Sequence, residues 1–281
     1  MQLHIAVICN PTKQNEKALR LADAISVLLK TKSIAHSIFT SYWPTSWQSF
    51  SHAWIIGGDG TLHHFINQYP GLTIPISIFN GGTANDFHWM MYGKIKLEEQ
   101  VNKILISKPS FIDAGTCNGR LFLNGAGIGF DGAIVKDVLD KKKLSGKLSY
   151  LFSILKNVLL YREYSAEIKL ENATVTQKCF MINVANGKRY GGGFHVTPKA
   201  SVTDGLLDIN IIGKVHPLKR IRYLPVIEKG KHMDLPFVLY KQESKIYIKT
   251  DRLVDAHLDG EYFSANEFKI ECLPKRILFV V

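Results

Sequence analysis

Along the first 115 residues, short apolar runs alternate with stretches whose apolar positions recur at helical spacing. LHIAVICN, SIAHSIFT, HAWIIGG and IPISIFN are brief, rich in isoleucine and bounded by Gly, Pro or Asn, which is the signature of strands. Between the first two, Glu16 to Leu29 places Ala18, Leu21, Ala22, Ile25, Leu28 and Leu29 at helical intervals. Alternation of this kind predicts a mostly parallel sheet with helices on both faces. Ligands of such sheets sit beyond the carboxyl ends of the strands.

From about residue 116 the texture changes. SAEIKL, KCFMINVAN, GFHVTP, LLDINII, SKIYIKT and FKIECL read as short strands separated by turn residues, which predicts an antiparallel sandwich or barrel. Two helices interrupt it. One is Leu144 to Tyr161, with Leu148, Leu151, Phe152, Leu155, Val158 and Leu159 on a single face. That helix is expected to pack on the sheet, with membrane contact as the alternative. The expected organisation is therefore an α/β domain over 1–115 and a β-rich domain over 116–281, with the last strand free to return to the first domain. A cleft between two domains is the default place for a ligand.

Composition narrows the class. The chain has 281 residues, 46% of them hydrophobic, enough for one large core or two modest ones. Its longest apolar stretch is broken by Ser145, Lys147, Ser149, Ser153, Lys156 and Asn157, and so falls short of the roughly 20 apolar residues a membrane span needs. The opening MQLHIAVICNP runs straight into a strand pattern without the features of a secretory signal, which predicts a cytoplasmic location. Cys9, Cys117, Cys179 and Cys272 lie far apart and are expected as reduced core thiols. Lys plus Arg number 35 against 24 Asp plus Glu, a net charge of +11 that suits an anionic partner. The densest basic run spans 214–232, where Lys214, Lys219, Arg220, Arg222, Lys229 and Lys231 face only Glu228. It reads either as a solvated helix face or as a surface drawn to anionic lipid.

The candidate chemistry begins at WIIGGDGTLHHF, residues 54–65, where an apolar strand empties into Gly57, Gly58 and Gly60 around Asp59. Glycines let backbone amides approach a ligand, and amides at a helix start favour phosphate. A lone carboxylate there would repel phosphate, so Asp59 is expected beside a divalent metal or a ligand hydroxyl, Mg²⁺ bridging phosphates being the usual solution. The alternative is a turn with a helix-capping Asp. A second loop of small residues, Asn80 to Phe87, follows the next strand, with Thr83 offering a hydroxyl and Asn85 or Asp86 capping the coming helix. Two such loops on neighbouring strands imply one extended ligand. Near the C-terminus, Asp259 and Glu261 would present paired carboxylates if a strand persists through Gly260.

GGDGT, the GTxND-type second loop, GxGFD (Gly127 to Asp131), GGGFHVTPKASVTDGLLDI (191–209) and LDGE (258–261) together resemble the bacterial diacylglycerol kinase and lipid kinase family over nearly the whole chain. GGDGT alone is shared with NAD kinases and, loosely, phosphofructokinases; the glycine triplet and late DGE make the combination far more specific. The resemblance implies an N-terminal nucleotide-binding α/β domain, a β-rich C-terminal domain, ATP as phosphoryl donor and a lipid alcohol such as diacylglycerol as acceptor. It assigns nucleotide contacts to Asn10, Pro11, Thr40, Gly57, Gly58, Asp59, Gly60, Thr61, Leu62 and Thr83. It assigns a structural Mg²⁺ to Ser201, Asp204 and the Leu206 carbonyl, with Asp131 in support. Glu261 takes the place of the proton acceptor, with Asp259 beside it; such a base contributes about 10²–10⁴-fold.

Three departures stand out: Lys13-Gln14 where the family has Ser-Gly, His63-His64 in place of Asn-Glu, and Thr203 where an aspartate is usual. Adjacent helical histidines point about 100° apart and do not share an ion. The family also implies peripheral contact with the inner face of the membrane and a homodimer as the assembly to test. Rival readings are NAD kinase and a catalytically weak nucleotide or lipid sensor. A nucleic-acid partner is not expected, because no recognised nucleic-acid module is present.

Overall fold

The computed structural model describes residues 3–10, 16–140 and 147–281, with side chains of the 147–160 helix described from residue 154 onward. The chain forms two compact units, Met1–Asp113 with Lys275–Val281, and Ala114–Pro274.

In the first unit β1 (His4–Cys9), α1 (Glu16–Thr31), β2 (Ala35–Phe39), β3 (His52–Gly57), α2 (Asp59–Gln68), β4 (Ile76–Asn80), α3 (Asp86–Tyr92) and α4 (Leu97–Ile106) follow in order. The sheet runs β4-β3-β1-β2 with every pair parallel. β1 and β3 are buried from their second residue to their last, which is why their sequences read as unbroken apolar runs. α1 turns Ala18, Ala22, Ile25 and Leu29 inward, an amphipathic stripe set by helical repeat. Trp54, Phe65, Phe79 and Phe87 fill the space between sheet and helices. Residues 40–51 carry a second aromatic layer: Trp43 and Trp47 meet Phe65 edge-on at 5.6 and 5.5 Å, and the Trp43 indole donates 2.6 Å to the Cys9 carbonyl. That bond ties the layer to the end of β1.

The second unit contains β6 (Arg120–Phe122), β7 (Gly125–Gly129), α5 (Phe130–Asp140), α6 (Lys147–Leu160), β8 (Tyr164–Lys169), β9 (Thr174–Ala185), β10 (Leu207–Gly213), α7 (Pro217–Glu228), β11 (Val238–Glu243) and β12 (Lys245–Leu258). β5 (Ser110–Cys117) enters it from the first unit, and β13 (Glu261–Phe279) leaves it, pairing parallel with β4 at Phe279 and Ile76. The strands run antiparallel in the order β11-β10-β9-β7-β12-β13. β9 and β12 are long enough to be shared. β7 takes their 181–185 and 256–258 segments, while β8 takes 174–179 and 247–250. The sheet thus closes back on itself around Phe122, Ile128, Tyr164, Ile182, Ile248 and Phe268. α5, α6 and α7 cover a second apolar cluster that includes Phe130, Ile134, Ile154, Val158 and Phe180.

The α/β unit followed by an antiparallel, sandwich-like unit is the expected fold. Two local expectations fail. GFHVTP is no strand: Gly191, Gly192 and Gly193 all hold positive φ, and the segment makes only an isolated bridge between Tyr190 and Phe194. In α6 the inward residues are Ile154 and Val158, whereas Leu155 and Leu159 remain 41% exposed. Leu144 lies outside the described residues, as do the side chains of Leu148, Leu151 and Phe152. All four cysteines are buried thiols; burial pushes Cys9 and Cys179 up to about 11 and Cys117 to about 12. Among the described residues no helix is long and apolar enough to cross a membrane.

Candidate functional site

The parallel strands of the first unit stop along one edge. Ile8 pairs with Phe39, Cys9 with Ile56 and Gly57 with Asn80, so Asn10, Thr40, the Gly57–Leu62 loop and the Asn80–Thr83 loop all follow strand ends on that edge. Pro11, Lys13 and Gln14 lie outside the described residues. The Asn10 carboxamide donates to the Thr61 hydroxyl at 3.5 Å, and the Lys17 ammonium reaches from α1 to the Asn80 side chain at 2.9 Å and the Gly82 carbonyl at 3.2 Å.

The two glycine loops lock onto each other. A Cβ on Gly82 would lie 2.4 Å from the Gly58 Cα, and the Gly81 amide donates 3.1 Å to the Gly57 carbonyl. The glycines expected to admit a ligand therefore first admit a neighbouring backbone. Asp59 completes the lock. Its two carboxylate oxygens accept the amides of Asp86 (3.0 Å) and Phe87 (2.8 Å), N–H groups at the start of α3 that have no partner within the helix. The capping reading of Asp59 thus holds for these two bonds, but across loops. Asn85, expected to cap α3, sits at φ 55 and spends its side chain on both backbone groups of Gly82, each at 2.8 Å. Thr83 stays exposed, while Leu62 is a core side chain, so only its backbone belongs to the loop. His63 is buried against Asn67, and the exposed His64 packs 5.1 Å from the Trp43 ring, so the two rings sit in different surroundings.

In the second unit the hairpin between β12 and β13 is closed by Asp259 at φ 50 and Gly260 at φ 90. The strand does not persist through Gly260, so the expected pairing of Asp259 with Glu261 is not formed. Asp259 is turned inward instead. Its carboxylate accepts the amides of Leu123 (2.9 Å), Asn124 (2.8 Å) and Gly125 (3.0 Å) and is only 9% exposed. Glu261, the first residue of β13, remains half-buried. Ser201, Asp204 and Leu206 share the loop that leads into β10. Asp204 accepts the Leu206 amide at 3.1 Å, and Ser201 lies 3.3 Å from the Thr203 hydroxyl.

A network that the sequence did not reveal lies between β7, β9 and β12. Asp131 accepts hydrogen bonds from Asn183 at 2.6 Å and the Tyr190 hydroxyl at 2.8 Å. The His257 ring lies 5.2 Å from that of Tyr190, and its Nδ1 accepts the Gly260 amide at 3.3 Å, within the turn that precedes Glu261. Gly127 makes room for them: a Cβ there would stand 2.4 Å from His257 Nε2 and 2.8 Å from the Asp131 Cβ. His257 was findable, since a strand residue two before Asp259 shares its face. Asn183 and Tyr190 carried no such signal.

A parallel α/β unit followed by an antiparallel sandwich-like unit is the architecture also found in solved diacylglycerol kinases and, more distantly, in an NAD kinase. Residues 4–117 match the diacylglycerol kinase catalytic domain, and residues 125–281 match the YegS C-terminal NAD kinase beta sandwich-like domain. The chain belongs to the diacylglycerol kinase and YegS-like lipid kinase family. It is 25% identical over 210 residues to the diacylglycerol kinase of Bacillus subtilis (strain 168), covering 73% of this chain and 69% of that one. Its fold is similar to a crystal structure of a diacylglycerol kinase from Bacillus anthracis str. Sterne (TM-score 0.71, 19% identity, 99% and 96% coverage). It is more distantly similar to an NAD kinase from Archaeoglobus fulgidus in complex with ATP (TM-score 0.55, 16% identity, 99% and 94% coverage).

Proposed function

We propose that this protein transfers the γ-phosphoryl group of ATP to a lipid hydroxyl such as that of diacylglycerol. The observation that carries the reading is the strand-end edge of the first unit, where Asp59 locks two glycine loops together and Lys17 supplies positive charge. Phosphoryl transfer asks mainly for positioning and charge neutralisation. The loops are tied together by hydrogen bonds before ligand arrives, which lowers the ordering their backbone needs when triphosphate binds.

In the second unit, Glu261 accepts the proton that the substrate hydroxyl releases as its oxygen bonds to phosphorus. Asp259 holds the turn that aims it. Ser201 Oγ, the Asp204 carboxylate and the Leu206 carbonyl are hard oxygen donors on one loop and fit Mg²⁺, which keeps waters for its remaining positions. Among the described residues no cluster of three His, Cys, Asp or Glu could hold a metal, in keeping with a set that carries a single carboxylate. A bound Mg²⁺ would hold the loop that leads into β10 through these oxygens.

The test is transfer of radioactive phosphate from ATP to a panel of diacylglycerol, sphingoid base, polyprenol and NAD. Labelling of a lipid, lost in Glu261→Ala with ATP affinity and unfolding unchanged, is the expected result. Labelling of NAD alone, or ATP binding without labelling of any acceptor, overturns it.

A further inference from the structure

Glu261 follows a two-residue turn, Asp259-Gly260, whose φ of 50° and 90° mark a tight hairpin with both central residues in the left-handed region. Leu258 and Glu261 are the strand pair that flanks it. The first turn residue is fixed twice, by its carboxylate on the amides of residues 123–125 and by its own amide, which donates 3.0 Å to the Gly125 carbonyl. The second is a glycine with open space, among the described residues, where a Cβ would stand. Packing does not hold it, and glycine has the widest backbone freedom of any residue. Its amide is held by a side chain, donating to His257 Nδ1 at 3.3 Å.

His257 is set firmly enough to do this. It is 3% exposed, in a lateral row with Asn183, Gly127 and Tyr262 across β9, β7, β12 and β13. An amide nitrogen donates and does not accept, so Nδ1 is the bare ring nitrogen and the neutral ring carries its proton on Nε2. Nε2 lies against Gly127, where the place of a Cβ is 2.4 Å from Nε2 and 3.0 Å from Asp131 Oδ2. The Tyr190 ring meets the imidazole edge-on at 5.2 Å and 79°, and the Tyr190 hydroxyl and the Asn183 side chain both donate to that same Oδ2, at 2.8 and 2.6 Å. An aromatic wall and a fixed carboxylate thus keep Nδ1 aimed at the Gly260 amide.

We infer that His257 is a positioning residue for phosphoryl transfer: it pins the Gly260 peptide, and with it the direction in which Glu261 presents its carboxylate to the acceptor hydroxyl. The inference rests on the reading that Glu261 accepts the proton. Burial and the bond at Nδ1 keep the imidazole from taking that proton itself, so it acts through Glu261. A group misplaced by about 1 Å costs about 10²-fold in rate, whereas ground-state binding of ATP and lipid does not depend on where Glu261 points. The loss falls on kcat and spares KM.

Three variants of the full chain distinguish a placed acceptor from mere bulk. Asparagine carries its side-chain oxygen where Nδ1 stands, glutamine carries its own nearer to Nε2, and alanine carries none. Denaturant unfolding, kcat and KM for lipid labelling, and hydrogen exchange of the Gly260 amide by NMR are measured at a temperature where all four proteins are folded. His257→Asn is expected to keep kcat within about threefold of the wild type and the Gly260 amide protected. His257→Gln and His257→Ala are expected to lose at least about tenfold in kcat with KM within about twofold. Their Gly260 amides should exchange at least about tenfold faster. Glutamine and asparagine both leave a carboxamide in the same buried place, so a contrast between them reports where the acceptor atom stands. A glutamine variant as fast as the asparagine one, a loss carried by KM, or a Gly260 amide that exchanges no faster in His257→Ala overturns the inference. Exchange in the expected order while even the wild type labels no lipid leaves the anchor standing and sinks the kinase reading alone.

Discussion

Replacing Asp259 separates anchoring from chemistry. Its carboxylate receives three backbone amides at 2.8–3.0 Å from residues 123–125, and Leu123 and Asn124 are themselves buried. A hydrogen bond to a charged group contributes about 1.5–3 kcal/mol, and each buried donor left unpaired costs about 1–3. The three share one acceptor and are not additive, and alanine adds a penalty of about 1 kcal/mol for the left-handed φ of 50° at this position. Asp259→Ala is therefore expected to lower unfolding free energy by about 3–5 kcal/mol, a large part of the roughly 5–15 available to a domain. Asparagine keeps one acceptor oxygen and tolerates the left-handed region, so Asp259→Asn should lose about 1–2 kcal/mol and retain most phosphate transfer at a temperature where it is folded. Denaturant titration and a lipid-labelling assay on both variants decide the matter. An alanine variant that loses less than about 1 kcal/mol refutes the anchor. An asparagine variant of native stability that has lost a hundredfold in labelling would return Asp259 to the chemistry.

Gly82→Ala forces a Cβ to 2.4 Å from the Gly58 Cα, a contact that only backbone movement relieves; it should weaken ATP binding by at least about tenfold in calorimetry while leaving the second unit's unfolding unchanged, and an unaltered affinity would show that the loop lock is dispensable. His52, His88 and His232 have pKa values below the ordinary 6.5 because burial disfavours their charged forms. Their folded values are the lower ones, so the stability they confer is complete above about pH 6.5 and is lost as pH falls toward the folded values, each at up to about 1.4 kcal/mol per pH unit. The unfolding midpoint should fall as pH drops below about 6.5, with a shallower slope in His232→Gln; an identical slope would mean that the burial of His232 does not lower its pKa.

The strands of the first unit were legible because burial on both faces leaves an unbroken apolar run, as in Ala53 to Ile56. The strand-end loops were legible because small residues there have few structural uses. The partner of Asp59 was not, since the amides it caps lie 27 and 28 residues away and are open to it only because Asn85 takes a left-handed turn. The same limit hid the anchoring of Asp259, whose donors lie 134–136 residues earlier. GFHVTP misled for a different reason. Val196 and Thr197 are as buried as strand residues, but they are held by loop bonds such as that of the Thr197 hydroxyl to the Gly187 carbonyl, at 2.6 Å, and not by a ladder. On α6 Val158 is buried as expected, whereas Leu155 and Leu159 face solvent, because exposed leucines pattern like buried ones.

Asp59 and Asp259 solve the same problem in the two units. Each is a carboxylate at a turn rich in glycine, and each accepts backbone amides from a distant segment. Amides are donors that cannot dissociate or move independently, so the turns they hold stay in place whether or not ligand is present. The two amide hydrogen bonds offset part of the Asp59 charge, and Lys17 stands at the same loops as a positive group. Asp59→Asn should therefore weaken the loops and nucleotide affinity together, in proportion, with Mg²⁺ dependence retained.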